Sequence, residues 1–202
     1  LFRNNPKLVA EFNCKYEKVA GENVWFPKNT GGSYTQFENQ FIGKKAYVIG
    51  KGPSLDTLVR IEDENCLIFA LNQAIHVVEK LQQNWNGLLF CVQQDATLQD
   101  KCIPKNAIHL LSESAKGWNP NAVLFNMSNF GVRENCITAV ATIKLAKYMG
   151  VKDFTFLAFD ACKTKNTSYA KTIGGKPPKP EQFLKHKAWM EKELKDCKYS
   201  FV

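Results

Sequence analysis

Ala46-Tyr47-Val48-Ile49-Gly50-Lys51-Gly52-Pro53-Ser54-Leu55 decides how the rest of the chain is read. Its four leading apolar residues, β-branched and aromatic ones among them, predict a short buried strand. Gly50 and Gly52 follow at alternate positions. Without a Cβ, each lets the backbone turn sharply and lie close to a ligand. Pro53 has its φ preset for a first helical turn, and Ser54 brings a hydroxyl beside N–H groups that lack helical partners. Strand, glycine turn and helix start in that order make a site for an anion or a nucleotide. An ordinary tight turn is the plainer alternative.

Downstream, Cys66-Leu67-Ile68-Phe69-Ala70-Leu71 and Leu88-Leu89-Phe90-Cys91-Val92 read as further buried strands. Ala74 to Leu81 has helical spacing between them. Ile108 to Leu111 and Ala122 to Phe125 are shorter strand candidates. Asn135 to Met149 places Ile137, Val140, Ala141, Leu145, Tyr148 and Met149 on one side of a helix, with Gly150 where a helix C-terminus wants it. Asp153 to Asp160 is a strong strand, Glu181 to Lys195 is helical, and Tyr199 to Val202 is a last strand. Strands alternating with helices predict an α/β, Rossmann-like fold, its mostly parallel sheet covered by helices on both faces.

Polar residues stand at the expected carboxyl ends of these strands: Ser54, Asn72, Gln94 with Asp95, and Asp160. Ligands of open α/β sheets bind in the crevice outside those ends. Each residue taken alone also suits a turn or a helix cap.

The 202 residues are read as 1-43, an N-terminal extension packed on the main domain, and 44-202, a Rossmann-like domain. Pro6 followed by Lys7 to Phe12 suits a short helix. Aromatics at Phe2, Phe12, Tyr16, Trp25, Phe26, Tyr34, Phe37 and Phe41 argue against a floppy tail. The net charge of +8 draws anionic partners without naming one. Seven cysteines form no C-x-x-C pair and several lie in apolar runs, as buried free thiols of a reducing compartment do. With no run of about 18 apolar residues and no signal-like start, a soluble cytoplasmic protein is expected. No Asp-x-Asp pair is present, so no metal and no cofactor is expected.

Ile49-Gly50-Lys51-Gly52-Pro53-Ser54-Leu55 resembles the Gly-x-Gly-Pro-Ser-Leu loop of bacterial sialyltransferases that cap lipo-oligosaccharides. The same loop occurs in a broader Rossmann-like family related to pterin pyrophosphokinases. The likeness continues through Phe69-Ala70-Leu71-Asn72-Gln73, Ile137-Thr138-Ala139-Val140, Tyr148 to Phe154, Phe159-Asp160 and Asn166 to Ala170. It covers roughly Lys45 to Val202.

The resemblance implies a glycosyltransferase that moves a sugar from a nucleotide-sugar donor. Gly50, Gly52, Pro53 and Ser54 would form the loop that holds the donor phosphate. Asn72 would touch phosphate or sugar, Gln94 or Asp95 the donor, and Thr138 would bind it from a helix start. Tyr169 would steady the leaving phosphate, and Arg133 matches an arginine before that helix. The family's His-Ser-Lys stretch, which supplies a general base, reads Ile173-Gly174-Gly175-Lys176 in this chain. The base then falls to Asp160, favoured because flanking Phe159 and Ala161 would desolvate it, or to Asp95, with His186 next. His186 sits between lysines in a helical run, the setting of a solvated surface histidine, while His76 and His109 lie among apolar residues and are expected to be packed. Alternatives are a pyrophosphoryl transferase of the pterin type, which would need magnesium, and an inactive nucleotide-binding module. Lys163, Lys165, Lys171, Lys176, Lys179, Lys185 and Lys187 suit an anionic acceptor, a glycan or modified DNA, or simply a solvated basic face. The oligomeric state leaves no trace in the sequence.

Overall fold

A computed structural model describes residues 14–19, 22–27, 32–63, 65–81, 88–94, 107–115, 119, 122–130, 137–164 and 167–202. Cys14–Val19 (β1) and Glu22–Pro27 (β2) pair antiparallel as a two-stranded sheet. The main sheet contains Gly32–Ser33 (β3), Lys45–Ile49 (β4), Cys66–Leu71 (β5), Leu88–Gln93 (β6), Ile108–Ser112 (β7), Val123–Phe125 (β8), Asp153–Leu157 (β9) and Lys198–Phe201 (β10). Its order is β10-β9-β4-β5-β6-β7-β8-β3, and every neighbouring pair is parallel. This is the expected α/β, Rossmann-like architecture.

The strands read as unbroken apolar runs because helices cover both faces of the sheet. Leu67, Phe69 and Leu71 of β5 belong to one core with Phe90, Phe154 and Phe156. Thr138–Tyr148 (α2) contributes Val140, Ile143 and Leu145 to it, and Pro180–Glu193 (α4) contributes Met190. Ile68 and Ala70, pointing the other way, pack with Leu89, Cys91 and with Ile75 and Val78 of Ile75–Leu81 (α1). The alternation of Cβ directions along a strand sorts one apolar run into two cores.

Helix α2 closes with a Schellman motif: the Gly150 N–H donates to the Lys147 carbonyl and the Val151 N–H to that of Ala146. Gly150 has φ 95°, which suits glycine there. Tyr34, Phe37 and Phe41, of the segment before β4, are buried in the α2-side core. That segment also caps α2, since Asn39 and Phe41 N–H groups donate to the carbonyls of Tyr148 and Met149. The helix expected over 7–12 lies outside the described residues.

Helix α4 opens on Pro180, whose missing N–H costs nothing at a first turn. The last long strand is shorter than expected. It ends at Leu157, Ala158 turns the chain with φ 56°, and Asp160 opens the short helix Asp160–Lys163 (α3). Among the described residues no helix is long and apolar enough to cross a membrane.

Candidate functional site

The chain fills the sheet outward from β4 through β5, β6 and β7 to β8, then returns to lay β9 on the other side of β4. At such a reversal, successive connections leave the sheet in opposite directions and a crevice opens at the strand ends. A cleft of about 360 Å³ lies there. Gly50, Lys51 and Gly52 after β4, Asn72 after β5, Gln94 after β6 and Ala158 to Asp160 after β9 all line it. The start of α2 (Ile137, Thr138, Ala139), Ser168, Tyr169 and the α4 residues Phe183, His186 and Met190 close it.

The glycine loop behaves differently from a phosphate cradle. Its N–H groups are engaged by the chain itself: Gly50 donates to the Leu157 carbonyl at 2.9 Å and Gly52 to that of Ala158 at 2.8 Å. The Ser54 N–H and hydroxyl both donate to Asp160 Oδ2, at 3.2 and 2.9 Å. The glycines are required by the closeness of β9. A Cβ on residue 50 would lie 2.6 Å from the Ala158 oxygen, and one on residue 52 would lie 2.1 Å from Asp160 Oδ2. Of the loop residues expected to hold a phosphate, Gly52 lines the cleft while Pro53 and Ser54 do not, and Gly52 and Ser54 hydrogen-bond the β9–α3 turn. Asp160 correspondingly is the partner of Ser54 rather than a carboxylate set among apolar residues. Among the described residues no hydrogen bond reaches its other oxygen, Oδ1.

The positive pole of the cleft is the start of α2, whose first turn is capped by no side chain among the described residues. Asn72 stands against it. Its Nδ2 lies 3.5 Å from Thr138 Oγ1, the residue is 7 % exposed, and Oδ1 is buried without a hydrogen-bond partner. Because an amide can be turned over with the same shape, one polar atom of Asn72 is left for a ligand either way. Asn72 also has φ 52°, in the left-handed region that asparagine adopts more readily than other residues bearing a Cβ. Gln94 is buried beside it. Tyr169 carries Lys51 Nζ at 4.5 Å over its ring, a cation–π contact.

His186 departs from the surface position expected of it. It is half-buried, lines the cleft, and lies between the rings of Phe183 and Trp189 at 6.0 and 5.6 Å. Burial lowers its pKa from the ordinary histidine value. His76 is corrected as well: one residue past the buried Ile75, it is turned away from the core and exposed. His109 is packed as expected, fully buried, with burial lowering its pKa to about 4. Asp95, Arg133, Lys165 and Asn166 lie outside the described residues.

Of the four cysteines whose side chains are described, all are free thiols; Cys66 and Cys91 are buried, Cys162 and Cys197 half-buried. Burial pushes the Cys162 thiol, on the cleft wall, up to about 11, which makes it a poor nucleophile. Among the described residues no group of three or more His, Cys, Asp or Glu comes together as a metal site would need. The expected residues gathered in the cleft are thus Gly50, Gly52, Asn72, Gln94, Thr138, Asp160, Tyr169 and His186. Phe183 and Met190 went unnoticed in the sequence, although they share His186's helical face at spacings of three and four. Comparison with known protein families, curated proteins and solved structures finds no match to this chain.

Proposed function

We propose that this protein is a glycosyltransferase, similar to the sialyltransferases, that moves a sugar from a nucleotide donor to an anionic acceptor. The observation that carries the reading is Asn72, buried and with a polar atom unpartnered, set against the uncapped start of α2 in a cleft at the reversal of strand order. A helix start favours negative charge. The departing phosphate sits there in this reading, with Asn72 and Thr138 as its side-chain partners and Tyr169 lining the same cleft.

His186 is the base. Burial keeps its imidazole neutral at pH 7, so a ring nitrogen takes the proton of the acceptor hydroxyl. The acceptor oxygen then bonds to the anomeric carbon as the bond from that carbon to phosphate breaks. Asp160 ranks behind it because one of its oxygens already holds Ser54. Exposed Lys163, Lys171, Lys176, Lys179 and Lys185 surround the cleft segments, and no Asp or Glu occurs from Ala161 to Pro180. That supports an anionic acceptor. The free thiols fit a cytoplasmic protein.

A thermal-shift screen of nucleotides and nucleotide sugars tests the reading. A ligand at about 100 times its Kd raises the midpoint by roughly 5–10 °C. Release of sugar from the bound donor marks an enzyme, and this turnover persists in EDTA. Binding without release in any acceptor mixture would make the protein a nucleotide-binding module, and no shift with any nucleotide would remove the proposal.

A further inference from the structure

The turn Pro53–Thr57 that follows the glycine loop holds a second wall of the cleft besides Asp160. Asp56, on that turn, receives three hydrogen bonds from a segment 115 residues away. The Lys171 N–H donates to Oδ2 at 2.7 Å, and the Thr172 N–H and hydroxyl donate to Oδ1 at 3.1 and 2.6 Å. The Ala170 N–H adds a fourth bond, to the Lys51 carbonyl at 2.8 Å. Immediately before these residues stand Ser168 and Tyr169, which line the cleft.

Ala170 is buried and Ile173 packs beside it on the α1-side core, so the segment is anchored on either side of Lys171 and Thr172. Lys171 and Thr172 are exposed, and beyond Ile173 the chain passes through Gly174 and Gly175 at φ 66° and 86°. A Cβ on Gly174 would meet nothing within 4 Å. Local turns cap their own neighbours two residues on, whereas this carboxylate reaches across the molecule. Hydrogen bonds to an ionised carboxylate are among the stronger ones. The Thr172 hydroxyl and then the two N–H groups hold Asp56 below the usual carboxylate range.

We propose that Asp56 is a positioning residue: it straps Lys171 and Thr172 to the glycine-loop turn and so fixes the Ser168–Tyr169 wall against which the nucleotide binds. The binding half of this statement rests on the nucleotide reading above. The strap itself does not.

Hydrogen exchange in the free protein tests the strap. In Asp56→Ala the amides of Lys171 and Thr172 exchange faster by on the order of tenfold or more, while those of the strands keep their rates. Unchanged exchange at both amides would overturn the proposal, whatever the protein binds. Thr172→Val, which removes only the hydroxyl donor, carries the same test if Asp56→Ala does not fold.

Calorimetry with nucleoside mono- and diphosphates tests the consequence, using the tightest of them in a double-mutant cycle. Asp56→Ala and Tyr169→Ala each weaken binding by on the order of tenfold. The double variant binds no more weakly than Tyr169→Ala alone, because Asp56 acts through that wall. Losses that simply multiply would show that Asp56 does not act through Tyr169 and overturn the proposal. Absence of nucleotide binding by the unaltered protein would remove the reading of the site, and the exchange rates would still decide the strap.

Discussion

At the scale of single residues, Gly52 and Asn72 have different demands. Gly52 has φ −66°, a value alanine adopts freely, so Gly52→Ala would gain about 0.4–1 kcal/mol from the unfolded chain if space allowed. Space does not allow it: the added carbon meets the Ala158 carbonyl at 2.8 Å as well as the Asp160 carboxylate. Gly52→Ala is therefore expected to lose roughly 2–3 kcal/mol in urea unfolding. Equal stability would show that the β9–α3 turn yields readily. Asn72 is the reverse case. At φ 52° alanine costs about 1–2 kcal/mol, so Asn72→Ala confuses strain with lost binding. Asn72→Gly removes the amide and relieves the backbone. It should match the parent's stability within about 0.5 kcal/mol and lose nucleotide affinity by about tenfold. Retained affinity in Asn72→Gly would mean that only the backbone shape matters there. Asn72 was legible in the sequence because it follows a strand directly. The bond from Ser54 to Asp160 was not, since it joins residues 106 apart and nothing local encodes it.

At the scale of elements, the strands were the most legible feature, because burial on both faces writes them as continuous apolar runs. Short helices were less so. Helix α1 has two buried residues, Ile75 and Val78, and His76 beside them gives no sign of which way it turns. Strand β7 shows what a buried histidine costs. Asn119 Nδ2 lies 2.8 Å from His109 Nδ1, which accepts its hydrogen in the neutral form. The folded pKa of about 4 lies below the ordinary 6.5. The unfolded chain therefore takes up the proton first as pH falls. Stability is full above pH 6.5, falls below it and levels off near pH 4. The loss from this residue between pH 6.5 and 5 is on the order of 2 kcal/mol. His109→Gln is expected to flatten that stretch of the curve, read from thermal midpoints at a series of pH values. An unaltered slope would assign the acid sensitivity to other groups.

At the scale of the whole molecule, the order β10-β9-β4-β5 governs the sequence of events by which the chain becomes a protein. Strands β4 to β7 lie side by side in chain order, so their pairings close modest loops. β9 pairs with β4 from roughly a hundred residues further along, Lys45 beside Asp153. Closing that span is a late and slow event, because a long loop must be ordered before its contacts return anything. Until it closes, Gly50 and Gly52 have no carbonyls to meet and Ser54 has no carboxylate. Pulse-labelled refolding should accordingly protect the amides of β5 and β6 before those of Gly50 and Gly52. On the ribosome the nascent chain carries six of the eight strands of the main sheet, its β4 edge bare, until β9 emerges. That edge can pair with another chain, so the interval between the two strands is when this protein is most exposed to aggregation.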